Sequence, residues 1–171
     1  ELASVNISDA AKWGGLLGMS YALAQFLCGP AIGNLSDRFG RRPVLLLSMA
    51  TMAVDYVIMA LAPTLFILFV GRVLAGIAGA TISTANAFMA DISTKEQRAA
   101  RFGLVGAAFG MGFVLGPFIG GLLSNFGTRT PFWVAAGLAF LNFVLGYFVL
   151  GETLAAKDRR PFKLVRANPV G

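Results

Sequence analysis

The stretch Gly29–Gly40, GPAIGNLSDRFG, returns 87 positions later as Gly116–Gly127, GPFIGGLLSNFG. The two copies align without gaps and share three glycines, a proline, an isoleucine, a leucine and a phenylalanine. Each copy closes a long apolar run, and the second copy lies three such runs after the first. An odd number of membrane crossings places the copies at opposite surfaces, so the pattern predicts an inverted-topology repeat. The alternative is a chance resemblance between two glycine-rich helices.

Five apolar stretches are long enough to cross a bilayer as helices, which takes about 20 residues. We predict them at Trp13–Gly33, Val44–Ala62, Leu65–Phe88, Phe102–Leu123 and Phe132–Leu150. The chain has 171 residues, of which 57% are hydrophobic and 13% charged, whereas about a quarter of a soluble domain is charged. Because backbone in lipid must be hydrogen-bonded internally, and no strand-like alternation is present, the sequence predicts an all-α membrane protein.

The basic residues predict the orientation of these helices. They lie in the first loop, in the third loop and after the fifth span, at Arg38, Arg41, Arg42, Lys95, Arg98, Arg101, Lys157, Arg159, Arg160, Lys163 and Arg166. The opposite side has only Lys12 and Arg129. Since loops rich in Lys and Arg stay in the cytoplasm, residues 1–12 are expected to form an external loop. Residues 151–171 are expected to begin a cytoplasmic linker.

The repeat also predicts a helix that precedes the first copy. The third span, from Leu65, precedes the second copy, so a counterpart should precede the first, and 87 positions earlier falls ahead of Glu1. We therefore expect five of the six helices of a half-transporter made of two three-helix repeats.

Two charges fall inside the spans. Asp55 lies in the second span and Arg72 in the third, and both are equally distant from the Pro63–Thr64 turn. A charge at the centre of a bilayer costs roughly 2.5–3.5 kcal/mol on insertion scales, so each needs a partner. The pair is either an ion pair or proton-linked carboxylate that changes during transport, or a static pair that lets both helices insert.

The remaining polar residues leave few other kinds of site. Histidine is absent and Cys28 is the single cysteine, so no metal site or cofactor is expected and any proton chemistry must use carboxylates. Gln25 is a candidate for substrate contact, as are Tyr21 and Asn86, although bonding between helices is the alternative use. The net charge of +6 lies in loops, which argues against nucleic-acid binding, and no catalytic set suggests an enzyme.

Three motifs resemble one family of transporters. Gly33–Arg42 (GNLSDRFGRR) resembles the signature loop of the major facilitator superfamily, and Gly112–Gly121 (GFVLGPFIGG) resembles the fifth-helix motif of its drug/proton antiporters. Arg72 followed by Gly76 resembles the fourth-helix arginine motif of the same group. SDRFGRRPVLLLS and Asp55-Tyr56 are similar to the tetracycline efflux antiporters.

The resemblance implies roles for two groups of residues. It implies a charge relay of Asp37, Arg41 and Asp91 within a gating segment that comprises Gly33, Asp37, Arg38, Gly40, Arg41, Arg42 and Asp91. Positive-inside anchoring is the alternative role of the arginines. It also implies that the fifth-helix motif seals the protein against leak, through Gly112, Gly116, Pro117, Gly120 and Gly121. Close packing alone is the alternative there, with a kink expected at Pro117.

The function implied is export of a tetracycline-like drug in exchange for protons, by alternating access, in a bacterial inner membrane. The proton would be the coupling ion, a drug–metal complex is a possible substrate, and the partners would be the bilayer, the first helix and the C-terminal half. The alternatives are a facilitator for another drug or a sugar, and a non-transporting membrane scaffold.

Overall fold

A computed structural model describes residues 7–162 of the chain, with their side chains from residue 11 onward. In this range six α-helices and one 3₁₀ helix follow one another: α1 Ile7–Phe39, α2 Arg41–Leu61, α3 Leu65–Gly79, α4 Ile82–Asp91, α5 Arg98–Ser124, α6 Thr130–Val149 and η1 Ala156–Asp158. The helix α1 thus begins within the predicted loop 1–12. Lys163 and Arg166 lie outside the described residues.

Within the described residues, five helical segments are long and apolar enough to cross a membrane: Ala11–Phe39, Arg41–Leu61, Leu65–Asp91, Arg98–Ser124 and Thr130–Val149. They correspond in order to the five predicted spans, and within residues 7–162 no strand is present. The predicted all-α fold is therefore confirmed, with boundaries that differ by several residues.

The third span differs from the prediction, because it is interrupted between α3 and α4. In a continuous helix the carbonyl of Ala78 would accept the N–H of Ile82. Instead it accepts the hydroxyl of Thr81, at 3.0 Å, and the hydroxyl of Ser48 from α2. The Ser48 and Thr81 hydroxyls also lie 3.0 Å apart. These side chains replace backbone bonds and explain why the helix breaks here.

The predicted loop at Gly33–Arg42 is also wrong in its extent, because α1 continues through Phe39 and α2 begins at Arg41. Only Gly40 separates the two helices, with φ 106° and ψ 157°. This backbone region is essentially restricted to glycine, so one residue reverses the chain without a longer loop.

The helices pack unequally. The helix α2 lies between α3 and α6, and α1 packs along α3, whereas α5 makes only sparse contacts, mainly with α4 and α6. Gly76 allows the approach of α3 to α1, because a Cβ at this position would lie 2.5 Å from the backbone oxygen of Tyr21. Such contacts between small residues are the usual way for helices to associate in lipid.

The two repeat copies share an uncommon backbone feature. Within the described residues, Gly40 and Gly127 are the positions with positive φ, at 106° and 135°. They are the final residues of the two aligned stretches and are 87 positions apart. We call residues 37–42 the Gly40 turn and residues 124–129 the Gly127 turn. Their equivalence supports the predicted inverted repeat.

Candidate functional site

The structure brings the two charges within the spans together. The Nη2 of Arg72 donates to the Oδ2 of Asp55 at 2.8 Å, and the Asp55 side chain is only 1% exposed. The sulfur of Met59 also contacts Nη2. Within the described residues the second carboxylate oxygen of Asp55 has no hydrogen-bond partner. A buried carboxylate with one free acceptor is a group that could take up a proton.

Two polar side chains of α1 line the same helix interface. The Arg72 guanidinium lies 6.0 Å from the centre of the Tyr21 ring, at the limit of a cation–π contact. Gln25 donates from Nε2 to the carbonyl of Gly79, at 3.1 Å. The amide of Gln25 therefore bonds to a neighbouring helix, and Asn86 lies exposed on α4.

Two clefts of about 510 Å³ each lie beside these residues. The first, the α1–α4 cleft, has polar side chains in its lining, at Gln25, Asn34, Asp37 and Ser83. Gly33 lines it too, and faces the Ser83 hydroxyl. The second, the Arg72 cleft, is lined by Arg72 and Arg129 among apolar side chains such as Leu17 and Phe132. Both clefts could admit a small molecule.

The Gly40 turn carries an ion pair between repeats. Arg41 Nη1 lies 3.1 Å from Asp91 Oδ2 at the end of α4, with the two side chains 12% and 30% exposed. The carboxylate of Asp37 forms no ion pair with Arg41 in the described part of the chain. Of the implied relay, Arg41 and Asp91 are therefore in contact, and Asp37 is not paired with them in that part. Arg38 is exposed and lies over the Phe39 ring, at 5.1 Å.

The loop after Asp91 is stabilised by an arginine side chain from α5 and by Glu96 within the loop. Arg101 donates to the carbonyl of Ile92 at 2.8 Å, and so satisfies a free carbonyl at the end of α4. Glu96 accepts from its own backbone N–H and from the Thr94 hydroxyl, and both bonds lower the pKa of its carboxyl group.

Arg42, a residue of the predicted gating segment, and Arg129, which was not predicted as a site residue, link α2 to α6 at both ends. Arg42 donates to the carbonyl of Tyr147 at 2.8 Å, and its guanidinium lies 5.5 Å from the Tyr147 ring centre. Arg129 donates to the carbonyl of Ala62 at 3.2 Å. The two arginines are 87 positions apart, so each copy of the repeat places an arginine on the final carbonyls of the antiparallel partner helix. Extending the alignment by two residues would have revealed this relation.

Glu152 was also missed as a site residue. Its Oε1 accepts the backbone N–H of Arg41 at 2.9 Å and that of Leu154 at 3.0 Å. Arg160, further along, donates its backbone N–H to the carbonyl of Asp37 at 2.9 Å. The segment after α6 therefore lies across the Gly40 turn. The sequence carried no periodic signal for this contact, because it joins positions more than a hundred residues apart.

The fifth-helix motif is exposed. The helix α5 runs without interruption through Pro117 and contains no buried residue. A Cβ added at Gly112, Gly116, Gly120 or Gly121 would meet nothing within 4 Å. Next to Gly112 and Pro117 is an open groove of about 600 Å³. Within residues 7–162 no helix covers this motif, so its sealing role stays a prediction. No cluster of metal-binding side chains is found in the same range.

Comparisons with known proteins identify the family. The family model described as Major Facilitator Superfamily matches residues 3–170. The class C tetracycline resistance protein of Escherichia coli is 52% identical over 163 residues, which are 95% of this chain and 41% of that protein. The class B protein of Escherichia coli is 42% identical over 150 residues, or 88% of this chain and 37% of that protein. The chain thus spans about two fifths of these relatives.

The fold of the chain also matches that of a solved transporter structure. The crystal structure of the human organic anion transporter MFSD10 (TETRAN) matches with a TM-score of 0.79 and 33% identity. The match covers 86% of this chain and 34% of that one. The resemblance drawn from the sequence motifs is therefore confirmed.

Proposed function

Because the chain belongs to the Major Facilitator Superfamily, a family of membrane transporters rather than enzymes, we propose that it is part of a tetracycline exporter driven by protons. It would supply five helices of the first half, and the complete transporter would add a preceding helix and a second half. The proposal is supported by similarity to several tetracycline resistance proteins.

The buried Asp55–Arg72 pair is the observation on which the coupling mechanism rests. The pair lies inside two membrane-spanning helices, and burial there is costly for either charge alone. The Arg72 side chain also lines the Arg72 cleft, while Gln25, on the helix that Arg72 faces, lines the α1–α4 cleft. A change in the protonation of Asp55 would release Arg72 beside a cleft that could hold substrate.

Orientation and gating complete the proposal. The end of the bundle with the Gly40 turn would face the cytoplasm of a bacterial inner membrane, because the basic residues cluster there. The Arg41–Asp91 ion pair would hold α2 against α4 in one state of the transport cycle and separate in the other. Substrate would then reach the clefts from alternate sides of the membrane.

The test is uptake of tetracycline into inverted vesicles that contain the complete transporter. An imposed pH gradient should drive uptake, and a protonophore should abolish it. Uptake that is independent of the pH gradient would contradict proton coupling. Absence of tetracycline uptake by a normally inserted protein would contradict the assignment of tetracycline as the substrate.

Asp55→Asn should abolish uptake while the protein still inserts in normal amounts, because Arg72 then lacks its counter-ion and no carboxylate remains to take a proton. Asp158→Asn is the matched control, since it makes the same chemical change at an exposed position after the last span. Near-normal uptake by Asp55→Asn would contradict the proposal. Recovery of uptake in the double variant Asp55→Asn/Arg72→Gln would show that the pair is only structural.

A second candidate substrate class is favoured by one observation. Two guanidinium groups, of Arg72 and Arg129, line one cleft, and the solved relative is described as an organic anion transporter. An organic anion would be the substrate if inverted vesicles take up a fluorescent carboxylate but no tetracycline.

A further inference from the structure

Both helix ends at the Gly40 turn leave backbone groups to be satisfied. The first N–H groups of α2 and the last carbonyls of α1 lack partners within their own helices. Gly40 has no side chain that could cap α2, and within the described residues no side chain of the turn does so. The turn therefore depends on groups from elsewhere.

One segment supplies these groups. We call residues 151–162, which follow α6, the strap. Glu152 of the strap accepts the N–H of Arg41, the first residue of α2. Arg160 of the strap donates its backbone N–H to the backbone carbonyl of Asp37, in the last turn of α1. A carboxylate at a helix N-terminus is favourable because of the helix dipole.

The glycine of the turn makes room for this contact. A Cβ at position 40 would overlap the Glu152 carboxylate and would lie 3.2 Å from Nη2 of Arg159. Gly40 itself is buried. The strap thus lies directly over the backbone of the turn.

The residue held by Glu152 is also the residue that forms the ion pair. Arg41 bonds to Glu152 through its backbone N–H and pairs with Asp91 through its side chain. We propose that Glu152 is a positioning residue that fixes Arg41 opposite Asp91, so that the strap couples the segment after α6 to the Arg41–Asp91 ion pair. The proposal rests on the gating role proposed above for that pair.

Hydrogen exchange of the complete transporter tests the contact without any transport measurement. In Glu152→Ala, the amides of Arg41 and Leu154 should exchange about tenfold faster, because both lose their acceptor. In Glu152→Gln, a carbonyl oxygen remains in place of Oε1, and the rates should return to within about threefold of the parent. Asp158→Ala, an acid of the same strap, is the matched control and should leave Arg41 unchanged.

Two results of this experiment would overturn the proposal. One is exchange at Arg41 in Glu152→Ala that equals the rate in Asp158→Ala. The other is a Glu152→Gln variant that exchanges as fast as Glu152→Ala, since the side-chain oxygen would then have no role as acceptor.

A double-mutant cycle tests the coupling to the ion pair. The thermal midpoints of Glu152→Ala, Asp91→Asn and the double variant should be non-additive, with the double variant close to the larger single effect. The pair Arg129→Gln and Asp91→Asn is the control, and its effects should add, because Arg129 contacts Ala62 at the other end of the α2–α6 pair. Additive effects of Glu152→Ala and Asp91→Asn would show that Glu152 does not act through Arg41. Neither measurement depends on the substrate, so a wrong tetracycline assignment would leave both results interpretable.

Discussion

The Gly40 turn and the Gly127 turn are equivalent in the repeat but are stabilised differently. At the Gly40 turn, Arg41 pairs with Asp91, and the Glu152 carboxylate caps the following helix. At the Gly127 turn, the residue equivalent to Arg41 is Thr128, which cannot form an ion pair. The backbone there closes instead through local bonds, such as the Thr130 N–H to the carbonyl of Gly127 at 3.1 Å.

The features that the two turns share stabilise the fold. Both have a glycine with positive φ, and both have an arginine that donates to the last carbonyls of the partner helix. These features stabilise the antiparallel α2–α6 pair at each end, where the two repeats meet. They would be needed whether or not the protein moved.

The contacts found only at the Gly40 turn among the described residues, the Arg41–Asp91 ion pair and the Glu152 cap, are of a kind that can break and reform during a conformational change. Ion pairs and exposed caps can break at modest cost, because water solvates the separated groups. Only the Gly40 turn has such contacts between its own residues and those of α4 and the strap, within the part of the chain described. This asymmetry places the proposed gate at that end.

The largest expected effect comes from adding one methyl group to each turn. Gly40→Ala should destabilise the complete transporter by about 3 kcal/mol, because the backbone conformation strains a Cβ and the Glu152 carboxylate must also move. Gly127→Ala should cost less, about 2 kcal/mol, since the same backbone strain applies at φ 135° but its Cβ would meet only the Thr130 hydroxyl, at 3.2 Å. Thermal unfolding in detergent measures both. Equal losses would contradict the claim that the strap occupies the space over Gly40.

A smaller effect is expected from removing the ion pair. Arg41→Gln should cost about 1 kcal/mol of stability, because the pair is only partly buried. If the pair is a gate, the initial rate of uptake into inverted vesicles should fall about tenfold. Lys95→Gln, which also removes a positive charge but at an exposed position in the loop after α4, is the control and should change neither quantity. An Arg41→Gln variant that transports at the parent rate would limit the pair to a structural role.

The part of this architecture that the sequence predicts depends on period and composition. The five spans and the matching depth of Asp55 and Arg72 follow from apolar run lengths and distances from a turn. The repeat predicts two equivalent turns, because an alignment depends only on residue identity. These features are local or periodic, and for that reason they can be derived from one sequence.

The contacts that were missed depend on three-dimensional packing. Nothing in the run Leu65–Phe88 marks the break at Thr81, which depends on the Ser48 hydroxyl from another helix. Glu152 follows the last apolar run, where a charged residue is expected for solubility alone. Its contact with Arg41 requires α2 and α6 to be adjacent, and the sequence does not specify which spans are neighbours.

The smallest expected effect tests the feature that the turns share. Arg42→Gln and Arg129→Gln should each cost about 0.5–1 kcal/mol, because each removes one partly exposed bond from a guanidinium to a carbonyl. Arg42→Gln should cost slightly more, since its cation–π contact with Tyr147 is also lost. The two sites lie at opposite ends of the α2–α6 pair, so the losses should add in the double variant. Thermal unfolding of the two single variants and the double variant decides this. A double variant no less stable than either single one would mean that the two arginines do not stabilise the α2–α6 pair independently. The equivalence of the two turns would then be limited to their glycines.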